Sequence, residues 1–168
     1  MKENKADQKS IEHLLVLRLK KKKYKVTTAE SCTGGMAASM IVNVTGASKV
    51  FEQAFITYSN QSKHKRLGVK KTTLKKYTEV SKQTAGEMAK GAAKAARTDA
   101  AVSITGIAGP DGGTKTKPVG LVYIGCFLSG KTKVKKFIFK GNREKIRKQA
   151  AEQSLFLLYK MLLEENVE

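Results

Sequence analysis

Tryptophan is absent from the chain, and cysteine and histidine occur only twice each among its 168 residues. The two cysteines, Cys32 and Cys126, make no disulfide framework and lack metal-site spacing, so a reducing cytoplasm is the expected compartment and no metal or other cofactor is expected. His13 falls inside the first expected helix, which leaves a serine or cysteine triad open only to His64. No apolar run approaches the roughly 18 residues of a membrane span, which excludes a helical membrane protein. The opening segment MKENKADQKS is polar, and the run Lys20 to Lys23 follows the short apolar segment instead of preceding it. That order is wrong for a secretory signal.

Acidic residues are scarce as well: 14 against 33 basic ones, for a net charge of +19. Such a balance suggests nucleic acid, because clustered cations neutralise phosphates. Yet 28 of the basic residues are lysine and 5 are arginine, the usual reader of base edges. The lysines are spread along the whole chain, and no aromatic-flanked basic motif offers a stacking platform. The expectation is a solvated lysine-rich surface, with weak and non-specific binding to polyanions.

What is present is an alternation of helical and strand periodicities without repeats or a domain linker. Ile11, Leu14, Leu15 and Leu19 predict an amphipathic helix; KVTTA (25–29) a strand; 35–44 a helix; AFITY (54–58) a strand; 60–67 a short helix stopped by Gly68. Ser81 is a plausible N-cap for an Ala-rich helix to Ala96, and AAVSIT (100–105) is an apolar strand entering the loop GIAGPDGG. A hairpin around Ser129-Gly130 and a last helix from Arg143 to about Leu163 complete the pattern. This order predicts an α/β fold: one domain over 1–168, a three-layer α/β/α sandwich with a mixed, mostly parallel sheet of about five strands. Ligands bind such sheets at the carboxyl ends of the strands, where the segments 30–35, 58–63 and 105–113 converge.

Within AESCTGG, Ser31 and Cys32 stand at a strand-to-helix turn, where a hydroxyl feels the positive helix end and free amides can hold an oxyanion. The plainer reading is a Ser/Thr helix cap followed by glycines for a tight turn. Lys63, in YSNQSKHK, lies in the first turn of a short helix. Its pKa is expected to be lowered by the helix end, by His64, Lys65 and Arg66, and by partial burial, which would suit a neutral base for a serine. The plainer reading is one surface lysine among 28. Four glycines from Gly106 to Gly113 allow close backbone approach to a ligand, and Asp111 is either a ribose or metal contact or a turn residue after Pro110.

Taken together, AESCTGG, FITYSN with Lys63, VSITGIAGPDGG, KPVG and GNRE resemble the CinA C-terminal domain family, over nearly the whole chain from about Val26. The resemblance implies a three-layer α/β/α amidohydrolase that converts nicotinamide mononucleotide to nicotinate mononucleotide and ammonia, acting as a homodimer. It implies a serine–lysine pair at Ser31 and Lys63, with Tyr58 orienting the lysine or donating to the intermediate. Glu30, Thr33, Gly34, Gly35, Asn60, Thr105, Gly106, Gly109 and Arg143 are the expected substrate contacts, the amides of 33–35 being candidates for the oxyanion hole. The sequence departs from the family pattern in two places. Asn142 stands where Asp is common, and Thr78-Glu79 stands where a Gly-Ala pair is common. Some family members carry a larger N-terminal domain as well; none is expected here, and its activities are not carried over.

Overall fold

The computed structural model describes residues 10–165, so most of the polar opening segment lies outside the described residues. Five strands form one sheet in the order β2-β1-β3-β4-β5: β1 (Val26–Glu30), β2 (Phe51–Ile56), β3 (Ala100–Gly106), β4 (Leu121–Leu128) and β5 (Lys131–Ile138). β1 pairs in parallel with β2 and β3, whereas β4 runs antiparallel to both β3 and β5. Four strands therefore point one way and β4 alone points back. β1 and most of β3 are buried on both faces, as a sheet covered by helices requires. The edge strands β2 and β5 are largely exposed, and β5 carries lysines that discourage edge pairing.

Alternate residues of the central strands feed two apolar cores. Val26, Ala100, Val102 and Ile104 face the helices α1 (Ile11–Lys22), α2 (Met36–Val42) and α6 (Arg143–Glu164). Ala29 and Ala101 face the second layer of α3 (Asn60–Leu67), α4 (Lys71–Tyr77) and α5 (Lys82–Ala96), with Leu67, Met88 and Ala92. Ser81 caps α5 as expected, accepting from the Thr84 amide at 3.2 Å.

Three local expectations shift. β2 spans Phe51–Ile56, not 54–58: Phe51 packs against the core, Glu52 and Gln53 join the edge strand although they are exposed, and Tyr58 lies beyond the strand end. α2 begins at Met36, because Gly35 has φ 100 and cannot be helical. α4 and a 3-10 turn at Ala47–Lys49 were not expected; α4 buries only Thr73, too little for a periodic apolar signal. The pairs Glu30↔Ile56 and Glu30↔Ile104 align the carboxyl ends of β1, β2 and β3, so the three suspected segments do meet at one edge.

Candidate active site

Glu30, last residue of β1, takes the head of α2. Its side chain is fully buried, and its two oxygens accept from the amides of Gly35, Ala37 and Ala38 at 3.0, 3.1 and 2.9 Å and from the Thr28 hydroxyl at 3.0 Å. Glu30 is thus the anionic cap of α2, and this corrects the expectation of a substrate contact. Because the carboxylate takes the helix end, Ser31 is not needed as a cap. Its amide donates to the Ile104 carbonyl at 3.0 Å, continuing the sheet, and its hydroxyl meets Lys63.

Lys63 is the largest fully buried side chain among the described residues. Ser59 caps α3, accepting from the Ser62 amide at 3.1 Å, and this sets the turn that carries Lys63 inward. Its Nζ donates to Ser31 Oγ at 3.0 Å and to the carbonyls of Thr57 and Tyr58, both at 2.9 Å. Burial lowers its pKa from 10.5 to about 8, while the charge of Glu79 pushes the other way. Desolvation is therefore the cause, and the cationic neighbours His64, Lys65 and Arg66 do not figure among the contributions. A neutral Lys63 has two N–H groups for the two carbonyls and a lone pair facing the Ser31 hydroxyl. That is the geometry of a general base.

Around this pair the turn 31–35 is clamped from α6. Arg147 donates through Nε to the Cys32 carbonyl and through Nη2 to the Thr33 carbonyl, both at 2.9 Å. Sequence reasoning missed Arg147, whose only signal was one more cation on a long helix. Gly34 is required by its φ of 59 and not by space, since a Cβ there would make an ordinary 3.4 Å contact with Arg147 Nη2. The Gly34 amide donates to the Ser31 carbonyl and the Gly35 amide to Glu30. Of the expected oxyanion amides only Thr33 is left without an acceptor among the described residues, and the Cys32 amide, which was not expected, joins it. The Cys32 thiol is buried and pushed up to about 11 by desolvation, so it stays protonated near neutral pH and is a poor nucleophile. His64 pairs its Nδ1 with the Val69 carbonyl at 2.8 Å and has no contact with Ser31.

The remaining expected residues divide. The Tyr58 side chain is 67% exposed, and it is the main-chain carbonyl, not the phenol, that holds Lys63. Asn60 is exposed at the start of α3. Thr105 is buried and donates to the Glu79 carbonyl at 2.7 Å. Gly106 is required by the sheet, since a Cβ there would lie 2.6 Å from Val122 Cγ2. Arg143 donates to the Gly109 carbonyl at 2.7 Å, tying the glycine-rich loop to α6. Asn142 caps α6, accepting from the Lys145 amide at 2.9 Å, a task that Asn and Asp perform about equally. Among the described residues there is no group of three or more His, Cys, Asp or Glu able to hold a metal, and no helix long and apolar enough to cross a membrane.

An α/β sandwich with a buried serine–lysine pair at the carboxyl edge of its sheet is the class that fold and site define. The chain belongs to the CinA C-terminal domain family, whose model matches residues 8–162. It is 56% identical over 156 residues to a "CinA-like protein" of Kosmotoga olearia and 51% identical over 154 residues to a "putative competence-damage inducible protein" of Clostridium beijerinckii. The match covers 93% and 92% of this chain, and the chain spans about 38% of the length of each of these relatives. Among solved structures, a competence/damage-inducible protein of Agrobacterium tumefaciens superposes with TM-score 0.87 at 36% identity, covering 96% of this chain and 99% of that one. A CinA superfamily protein of Klebsiella pneumoniae gives 0.88 at 28% identity, covering 92% and 96%.

Proposed function

We propose that the chain is an amidohydrolase that converts nicotinamide mononucleotide to nicotinate mononucleotide and ammonia, with Ser31 as nucleophile and Lys63 as general base. The observation that carries this reading is the buried 3.0 Å contact between Lys63 Nζ and Ser31 Oγ. It is supported by the lowered lysine pKa and by membership of the CinA C-terminal domain family, for which the sequence resemblance implies a serine–lysine amidase. Neutral Lys63 takes the Ser31 proton as Oγ attacks the carboxamide carbon. The carbonyl oxygen becomes an oxyanion that the amides of Cys32 and Thr33 can stabilise. As this intermediate collapses, the Lys63 ammonium protonates the leaving nitrogen, and ammonia departs from an ester on Ser31. Lys63, neutral again, deprotonates a water that attacks the ester carbon. Collapse releases nicotinate mononucleotide, and Ser31 recovers its proton from Lys63.

No step calls on a cofactor, and the homodimer implied by the resemblance and the reducing compartment belong to the same proposal. The test is ammonia release from nicotinamide mononucleotide by the purified protein without added metal. Turnover lost in Ser31→Ala supports the reading, and no release by the unmodified chain sinks it.

A further inference from the structure

Glu79 lies on the turn between α4 and α5, where its charge is felt by Lys63. The pairing Glu30↔Ile104 sets Ser31, just past the end of β1, beside Thr105, which is still in β3, and the Thr105 hydroxyl donates to the Glu79 carbonyl at 2.7 Å. On the other side Lys117 Nζ donates to the Tyr77 carbonyl at 3.2 Å, to Thr78 Oγ1 at 2.6 Å and to the Val80 carbonyl at 2.8 Å. Thr78 is held at φ 66, a left-handed conformation that explains why glycine suits that place in the family. The turn is thus gripped on both sides of Glu79. Its side chain is exposed, and it makes no ion pair among the described residues of a chain with 33 basic ones. Glu79 is also the foremost charge acting on Lys63.

A carboxylate left open beside a reacting centre suits a substrate with positive charge close to the reacting bond. In a nicotinamide nucleotide the glycosidic bond makes the ring nitrogen quaternary, so the ring bearing the carboxamide is a cation. Resting on the amidase reading above, we propose that Glu79 is a specificity-determining residue that recognises the pyridinium ring, so that the site selects carboxamides carried on a cationic ring over uncharged ones. The same charge turns the phosphate away, toward the basic surface. An uncharged Ala at this place would leave orientation to the other contacts.

The test uses the Ser31→Ala protein, which holds the nucleotide without turning it over, and two ligands: nicotinamide mononucleotide and its 1,4-dihydro form, whose ring is uncharged. Calorimetry gives the ratio of the two dissociation constants. The ratio should favour the cation, shrink about 3- to 10-fold on adding Glu79→Gln, as loss of one partly screened charge requires, and be largely kept by Glu79→Asp. A ratio unchanged by Glu79→Gln, or lowered as much by Glu79→Asp, overturns the proposal, the fold of each variant being checked by its melting temperature. Failure of the unmodified chain to release ammonia removes the amidase reading instead. The charge preference is read from binding alone and fails separately.

Discussion

Replacing Lys63 is the sharpest perturbation that the geometry allows. With a pKa of about 8, about a tenth of the protein carries a neutral Lys63 at pH 7, against about one part in three thousand for an ordinary lysine at 10.5. Activity that needs the neutral amine should rise about tenfold in kcat/KM between pH 7 and a plateau above about pH 9. Lys63→Arg keeps a cation that cannot deprotonate, and should lose about 10²- to 10⁴-fold, as much as Lys63→Ala. Stability carries an independent signature. The folded-state pKa lies below the unfolded one, so burial of the ammonium costs stability in full below pH 8, and that cost fades as pH rises toward 10.5. At about 1.4 kcal/mol per tenfold, the unfolding free energy of the native chain should gain about 3 kcal/mol on Lys63→Met between pH 7 and pH 10.5. Comparing the variants, rather than one protein across pH, cancels the other 27 lysines. Denaturant titrations of both proteins across that range, with initial rates of ammonia release, test the two halves together. A flat rate profile, or a Lys63→Arg enzyme with a tenth or more of normal activity, would refute the base assignment and leave Lys63 a fixed charge.

Other substitutions separate the neighbouring roles. Ser31→Ala should abolish ammonia release while Cys32→Ala keeps most of it, since the Cys32 thiol is pushed up to about 11; the reverse result in the same assay would move the nucleophile to sulfur. Arg147→Ala frees two carbonyls of the turn 31–33 and should lower kcat about 10- to 100-fold, leaving KM and the apparent pKa near their native values; a change confined to KM would make Arg147 a substrate contact. Glu79→Gln removes the foremost charge favouring the Lys63 cation, so the rate profile should move to lower pH, and an upward move would contradict the assigned electrostatics. DNA affinity, measured by titration at several salt concentrations, should fall linearly with the logarithm of salt; a nanomolar complex at physiological salt would favour a nucleic-acid role.

The layer order was legible because its signals are redundant. α3 carries its own cap and stop in Ser59 and Gly68, and α5 has Ser81 at its head, so chain-local chemistry marks their ends. β2 was misplaced because an edge strand need not alternate: Glu52, Gln53 and Ala54 are all exposed, and the register against β1 shifts between Phe51 and Ala54. The site was legible only as segments. That Ser31 and Lys63 touch follows from the parallel pairing of β1 and β2, which local pattern does not encode; the resemblance supplied the pair, and the structure supplies the distance. The roles of Glu30 and Arg147 were hidden for the same reason. Glu30 bonds amides five to eight residues ahead, and Arg147 reaches carbonyls more than a hundred residues back.

The site is also where the sequence is least economical of stability. A buried lysine, two consecutive glycines at φ 59 and 100, and the Thr33 and Thr57 hydroxyls, buried with no partner among the described residues, all stand within a few residues of the Ser31 Oγ–Lys63 Nζ contact. Each is unfavourable alone: an unpaired buried hydroxyl costs about 1–3 kcal/mol, and the lysine about as much again at neutral pH. A methionine at 63 with hydroxyl-free residues at 33 and 57 would close the same sheet edge against α3 at lower cost. Elsewhere among the described residues the one buried polar side-chain atom without a partner is Arg18 Nε, in α1. Local rules broken together at one point mark a place built for something other than folding. Here that is a serine held against an amine poised to lose its proton.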